Sequence, residues 1–255
     1  MFTPTAIYAK SAAAAEAVPV QDGLRLWLDP NNLTSYPGSG STWYDLTSNH
    51  ADMQASGSAG VPTWTTPADS GSYFDFPGDN RWFGTSGSYN EYWWSSGSAG
   101  TEATIQLWAY WDAWNGSWWM NAIMGFDDQP TNKWILSAGD GTNDLLFHIN
   151  GTCACTMETN DNAISLGEWY FITLRKNGSG DTWTFYTGTT ARGDTGCSCN
   201  LLETNSNLTI GTAEPKTAGY NALDGRIGHV FFYDRALSLD EITANYDLTK
   251  ALYGK

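Results

Sequence analysis

From Leu24 to the end of the chain, apolar and polar positions alternate with a period of two in short runs, and clusters of Gly, Asn, Asp and Ser separate the runs. That is the signature of β-strands joined by turns, because successive side chains of an extended backbone point to opposite faces. Leu24 to Leu28 and Ala103 to Trp111 each carry one aliphatic and one polar or aromatic face, as expected where one side of a sheet packs on another sheet. The same reading predicts strands at Tyr73 to Phe76, Ala122 to Phe126, Lys133 to Ser137, Asp144 to Ile149, Trp169 to Arg175, Thr182 to Thr187, Asn207 to Gly211 and Arg226 to Tyr233. About a dozen such strands specify an all-β sandwich or barrel. The one helix predicted starts at Ser238-Leu-Asp-Glu241, a capping box, followed by Leu239, Ile242 and Tyr246 at helical spacing. Asp140-Gly141 and Asn177-Gly178 are expected to take the positive φ angles of tight hairpin turns.

The 255 residues suffice for one large sandwich. Residues 23 to 255 read as that single domain and residues 1 to 22 as an extended arm. The Ala12 to Ala15 run is no secretion signal by this reading, since Pro4 comes early, Lys10 is the only cation and leucine is missing from the first twenty residues.

Two stretches resemble a known family: Gly23-Leu-Arg-Leu-Trp-Leu-Asp29 followed by Tyr36-Pro-Gly-Ser-Gly and Trp43-Tyr-Asp-Leu46, and Leu223-Asp-Gly-Arg-Ile-Gly-His-Val-Phe-Phe-Tyr-Asp-Arg-Ala-Leu237 running into Ser238 to Ile242. Tyr73-Phe-Asp-Phe-Pro-Gly78, Leu166-Gly-Glu-Trp-Tyr-Phe171 and Leu208-Thr-Ile-Gly211 fall in order between them. Together they are similar to laminin-G-like, concanavalin A-like domains. The resemblance implies an antiparallel two-sheet jelly roll with a short C-terminal helix, in which the first and last strands pair and bring the arm near the helix. The flavour is similar to domains of bacteriophage structural proteins and bacterial surface proteins.

Charge narrows the partners. There are 27 acidic residues against 12 Lys and Arg, a net charge of −15. Such a surface repels phosphate backbones and anionic headgroups, which argues against nucleic acid, and no segment has the apolar length for membrane insertion. Enzymes of this fold carry two glutamates close together on one strand. Here Glu91, Glu102, Glu158, Glu168, Glu203, Glu214 and Glu241 are scattered singly, so catalysis is not expected. His50, His148 and His229 are equally isolated.

Tryptophan is the distinctive residue, with 14 copies. Tyr92-Trp-Trp94 and Trp111-Asp-Ala-Trp-Asn-Gly-Ser-Trp-Trp119 are too dense in it for alternation alone. Trp93, Trp94, Trp114, Trp118 and Trp119 are therefore the expected contacts, either in an oligomer interface or stacked on sugar rings. Cys153-Ala-Cys155 and Cys197-Ser-Cys199 are a matched pair of patterns. On neighbouring antiparallel strands they would form the disulfides 153–199 and 155–197. Four thiolates around one zinc are the alternative, although zinc sites usually leave two or more residues between paired cysteines. Disulfides would imply an oxidising setting.

No cofactor is required on this reading. Relatives of this fold hold structural calcium at the sandwich rim, and the candidate ligands here are Asp127, Asp128, Asp140 and Asp144; ordinary turn chemistry is the competing account of each. The leading expectation is a non-catalytic virion structural protein, a capsid decoration or fibre subunit that binds itself and other virion proteins on the virion surface. The alternative is a carbohydrate-binding lectin or adhesin, extracellular or on a cell surface, that reads glycans through tryptophan with calcium assistance.

Overall fold

A computed structural model describes residues 18–85, 101–115, 121–128, 132–139, 142–150, 153–178, 180–193, 196–201, 207–213 and 222–255. Among the described residues, sixteen strands form two antiparallel sheets. In chain order they are β1 (Leu24–Leu28), β2 (Thr42–Trp43), β3 (Met53–Ser56), β4 (Thr63–Thr65), β5 (Tyr73–Pro77), β6 (Trp82–Thr85), β7 (Glu102–Trp111) and β8 (Ala122–Asp128), then β9 (Asn132–Ala138), β10 (Leu145–Asn150), β11 (Cys155–Glu158), β12 (Trp169–Asn177), β13 (Trp183–Thr187), β14 (Thr190–Ala191), β15 (Thr209–Ile210) and β16 (Asp224–Tyr233). Helix α1 (Leu239–Thr249) and a 3-10 turn (Lys250–Tyr253) follow. One sheet runs β14-β13-β12-β7-β16-β5-β4, with β1 also on β16; the other runs β11-β10-β9-β8-β15-β6-β3-β2.

Every strand predicted from alternation is present. The six missed, β2, β3, β4, β6, β11 and β14, have two to four residues, too few to display a period. The first and last strands pair as the resemblance implied, Leu24 opposite Tyr233 and Leu28 opposite Val230. Strand β16 serves two neighbours on one edge, since Asp224 to Ile227 pair with β5 and Val230 to Tyr233 with β1.

The main core lies between the sheets. Trp43, Phe74 and Phe83 meet tilted or edge-on at 4.6–5.5 Å, and Phe147 lies 4.9 Å from Trp183 and 5.9 Å from Trp134. Such offset geometries suit the ring quadrupoles and add to the area buried. Five of the ten described tryptophans, Trp43, Trp108, Trp111, Trp134 and Trp183, are fully buried.

A second apolar cluster, Trp108, Phe171, Phe231, Tyr233, Leu237, Ile242 and Tyr253, forms where α1 packs on the outer face of the β7-containing sheet. The capping box is present: Ser238 Oγ accepts from the Glu241 amide at 3.3 Å, and Glu241 accepts from the Ser238 amide at 2.8 Å. The buried face differs from the one expected. Leu239 is exposed, whereas Asn245 and Thr249 are buried because each meets a polar partner on the sheet. The described end of the arm docks here too, with the Val20 amide donating to Asn245 Oδ1 at 2.9 Å and Asp22 paired with Arg235 at 2.9 Å.

One turn needs correcting. Beyond β12 the positive φ falls on Gly180 (84°), not on Asn177 or Gly178, because the connection to β13 is longer than a two-residue hairpin and Lys176 pairs with Trp183. The Asp140-Gly141 turn lies outside the described residues.

Candidate functional site

Strand β7 turns Thr104, Gln106, Trp108 and Tyr110 to the outer face, and α1 decides their fates. The amide of Leu237 donates to Thr104 Oγ1 at 2.9 Å, Asn245 Nδ2 donates to Gln106 Oε1 at 2.7 Å, and Trp108 Nε1 donates to Thr249 Oγ1 at 2.7 Å. The segment from Leu237 through α1 thus hydrogen-bonds the three positions it covers. Tyr110 lies beyond it and is half-buried.

Register then builds a row across four strands. Tyr110 stands opposite Trp169 on β12 and opposite Arg226 on β16, and Arg226 stands opposite Asp75 on β5. Alternation adds Tyr73, Asp224 and Asp112 to the same face, and the Asp112 amide donates to the Asp224 carbonyl at 3.0 Å. The guanidinium of Arg226 donates to Asp112 Oδ1 at 2.8 Å, has Nε 3.8 Å from Asp75 Oδ1, and lies 4.3 Å above the Tyr110 ring and 5.3 Å from that of Tyr73. Burial, then the charges of Asp112 and Asp224, hold the Asp75 carboxyl above its ordinary range despite Arg226. Burial and the Asp112 charge do the same to Asp224.

Trp169 is the hinge of the arrangement. Its ring lies 5.6 Å from Tyr73, 5.5 Å from Tyr110 and 4.7 Å from Tyr253. It also lines a cleft of about 160 Å³ with Trp108, Phe171, Tyr246, Thr187 and Lys255. The cleft is smaller than the roughly 300–1,000 Å³ of drug-sized sites. Lys255 stands at 3.4 Å from Glu168.

Behind Trp169, Tyr253 stacks on Trp108 at 4.6 Å, and its hydroxyl accepts from the His229 amide at 3.1 Å and meets His229 Nδ1 at 2.8 Å. His229 Nε2 lies 2.9 Å from Asp29. Burial pushes the Asp29 carboxyl up, but the hydrogen bond and charge of His229 with the Asn31 amide outweigh it, so its pKa falls below the ordinary value. His229 is thus a satisfied histidine, as expected of one isolated in sequence, and the middle of a buried chain that clamps the C-terminal turn.

The predicted contact tryptophans fare differently. Trp93, Trp94, Trp118 and Trp119 lie outside the described residues. Trp114 is half-buried and packs against the main core, 5.9 Å from Trp111. Of the calcium candidates, Asp140 lies outside the described residues and Asp127 and Asp128 end β8, with nothing described of their side chains. Asp144 is buried in ordinary turn chemistry: its carboxylate accepts from Thr159 Oγ1 at 3.3 Å and from the Asn162 amide at 3.1 Å.

The cysteines pair as expected, Cys153 with Cys199 and Cys155 with Cys197, each with Cα atoms 5.6 Å apart. Only Cys155 lies in a strand, however. The Cys197 to Cys199 segment is an irregular stretch hung on β13, through Trp183, whose amide donates to the Cys197 carbonyl and whose Nε1 donates to that of Cys199, both at 2.8 Å. The bridges therefore tie β11, an edge of one sheet, to the segment held by β13, next to the edge strand β14 of the other.

A family model described as the concanavalin A-like lectin/glucanases superfamily matches residues 95–243, more than half the chain. No curated protein matches by sequence. Among solved structures, domain 4 of an extracellular arabinanase from Geobacillus stearothermophilus, determined in complex with arabinotriose, is similar at a TM-score of 0.62 and 13% identity, over 89% of this chain and 98% of that one. A Trypanosoma rangeli sialidase in complex with sialic acid is similar at 0.61 and 16% identity, over 94% of this chain but 35% of the sialidase. The receptor-binding domain of a botulinum neurotoxin C/D mosaic serotype gives 0.63 and 11%, over 88% of this chain and 51% of that one. At these identities the likeness is one of fold.

Proposed function

The chain belongs to the concanavalin A-like lectin/glucanases superfamily, and on that premise we propose that it binds carbohydrate outside the cell and does not cleave it. The observation that carries this reading is the cross-strand row Asp75–Arg226–Tyr110–Trp169, half-exposed beside an aromatic cleft. Sugars present apolar C–H faces edged by hydroxyls. Rigid rings bury the former at small entropic cost, while carboxylates and a guanidinium fixed by one another bond the latter. The solved arabinanase domain in complex with arabinotriose, which this chain covers almost end to end, supports the same class of ligand.

One feature supports a binding role over a hydrolytic one. Retaining or inverting hydrolysis needs one carboxyl free to protonate the leaving oxygen and another free to attack or to activate water. Asp112 instead is tied by a hydrogen bond to the Arg226 guanidinium at 2.8 Å, and Asp75 stands 3.8 Å from the same group. The two disulfides fit an oxidising, extracellular or surface setting. The similar structures described above are not virion proteins, so they favour the glycan-binding alternative over a coat role.

A glycan array followed by titration calorimetry tests the reading. The wild type should retain a defined set of glycans, and Trp169→Ala and Arg226→Met should each weaken binding about tenfold or more, the loss expected for a central contact. Retention of no glycan, or wild-type affinity in both variants, would refute it. Release of reducing sugar from any retained glycan would refute the non-catalytic half.

A further inference from the structure

We infer that the site selects uncharged glycans with free neighbouring hydroxyls and rejects acidic sugars such as uronates and sialates. This rests on the carbohydrate-binding reading above and goes further by naming the ligand class. Three carboxylates, Asp75, Asp112 and Asp224, share the face with one cation, Arg226. An incoming carboxylate would join a face on which the described carboxylates already outnumber that guanidinium. The guanidinium already donates to Asp112 at 2.8 Å, stands 3.8 Å from Asp75 and lies 4.3 Å above the Tyr110 ring. Arg81, the other cation that acts on Asp75, lies 3.3 Å from Asp79. Across the cleft, Lys255 faces Glu168.

What the face offers a ligand is therefore mostly acceptors. An ionised carboxylate accepts but does not donate, and a pair of neighbouring sugar hydroxyls supplies two donors at the spacing of its two oxygens. A ligand anion finds repulsion instead, on a chain whose net charge of −15 adds to it at long range. Burial, and after it the charge of neighbouring carboxylates, raises Asp75 and Asp224, so a further anion beside them adds to a repulsion already present.

The test compares neutral and acidic probes on the intact chain: an array of neutral, uronate-containing, sialylated and sulfated oligosaccharides, then calorimetry at pH 7 with galactotriose and trigalacturonic acid. The expected result is an array led by neutral glycans and a preference for the neutral trisaccharide of roughly tenfold or more. The preference should shrink as salt is raised and fall in Asp75→Asn/Asp112→Asn, which keeps the shapes and removes two charges. Acidic glycans bound as tightly as neutral ones, or an unchanged preference in the double variant, would overturn the ligand class. If Trp169→Ala still abolished that binding, the carbohydrate-binding reading would survive. Retention of no glycan of either class would sink both.

Discussion

The paired disulfides make a quantitative claim about how the sandwich is held. Cys153–Cys199 and Cys155–Cys197 are nested and span 46 and 42 residues of chain. Loop-closure entropy depends on the logarithm of length, so either bridge alone removes nearly the same freedom from the unfolded chain, about 4 kcal/mol at 25 °C. The second bridge closes only the small ring between the two Cys-x-Cys segments, and adds about 2 kcal/mol at most, since short stiff loops depart from the chain-entropy rule. Urea unfolding of three variants checks this. Cys153→Ser/Cys199→Ser and Cys155→Ser/Cys197→Ser should lose similar, modest stability. The variant lacking all four cysteines should lose about 4 kcal/mol more, much of the stability of an ordinary domain. Its irregular segment should also release the Ser198 carbonyl, which accepts from Lys176 Nζ at 3.0 Å, an ammonium whose pKa burial lowers. A single pair whose loss equalled that of all four would refute the nested-loop account.

Two further predictions concern the C-terminal segment that backs Trp169. A Cβ on Gly228 would meet the Tyr253 hydroxyl at 2.2 Å and its ring at 2.4 Å. Gly228→Ala should therefore expel Tyr253, cost about 2–4 kcal/mol as a core disruption, and change the tryptophan fluorescence through Trp108 and Trp169; a wild-type melting temperature would contradict this. Glu241, hydrogen-bonded and paired with Arg235 at 2.6 Å, is held down to about 2. A depressed carboxyl stabilises the fold above its unfolded value near 4.5 and loses that contribution as pH falls toward 2. Because Glu241 is partly exposed, the loss should be about 1 kcal/mol after screening, and Glu241→Gln should remove this part of the acid dependence in melting curves taken between pH 5 and pH 2.

The sequence by itself determined a good deal. Alternation located the long strands, because a half-buried strand must place apolar groups on every second residue, and the capping box located the helix, because its donors must find acceptors within three residues. The matched Cys-x-Cys patterns pointed to the bridges, although only Cys155 lies in a strand, so strand register did not set them. The composition foretold nothing of the site. Tyr73 and Asp75, Tyr110 and Asp112, Trp169, and Asp224 and Arg226 each sit as unremarkable outward positions of separate strands, whereas Trp93, Trp94, Trp118 and Trp119 lie outside the described residues. Outward Asp or Arg beside Tyr or Trp at two-residue spacing was the available signal. Only tertiary structure could join those positions, because register sets which residues of four strands stand opposite one another and α1 sets which stretch of that face stays open. Local pattern is carried by neighbours in the chain, whereas a surface assembled across strands exists only once long-range pairing has chosen its partners.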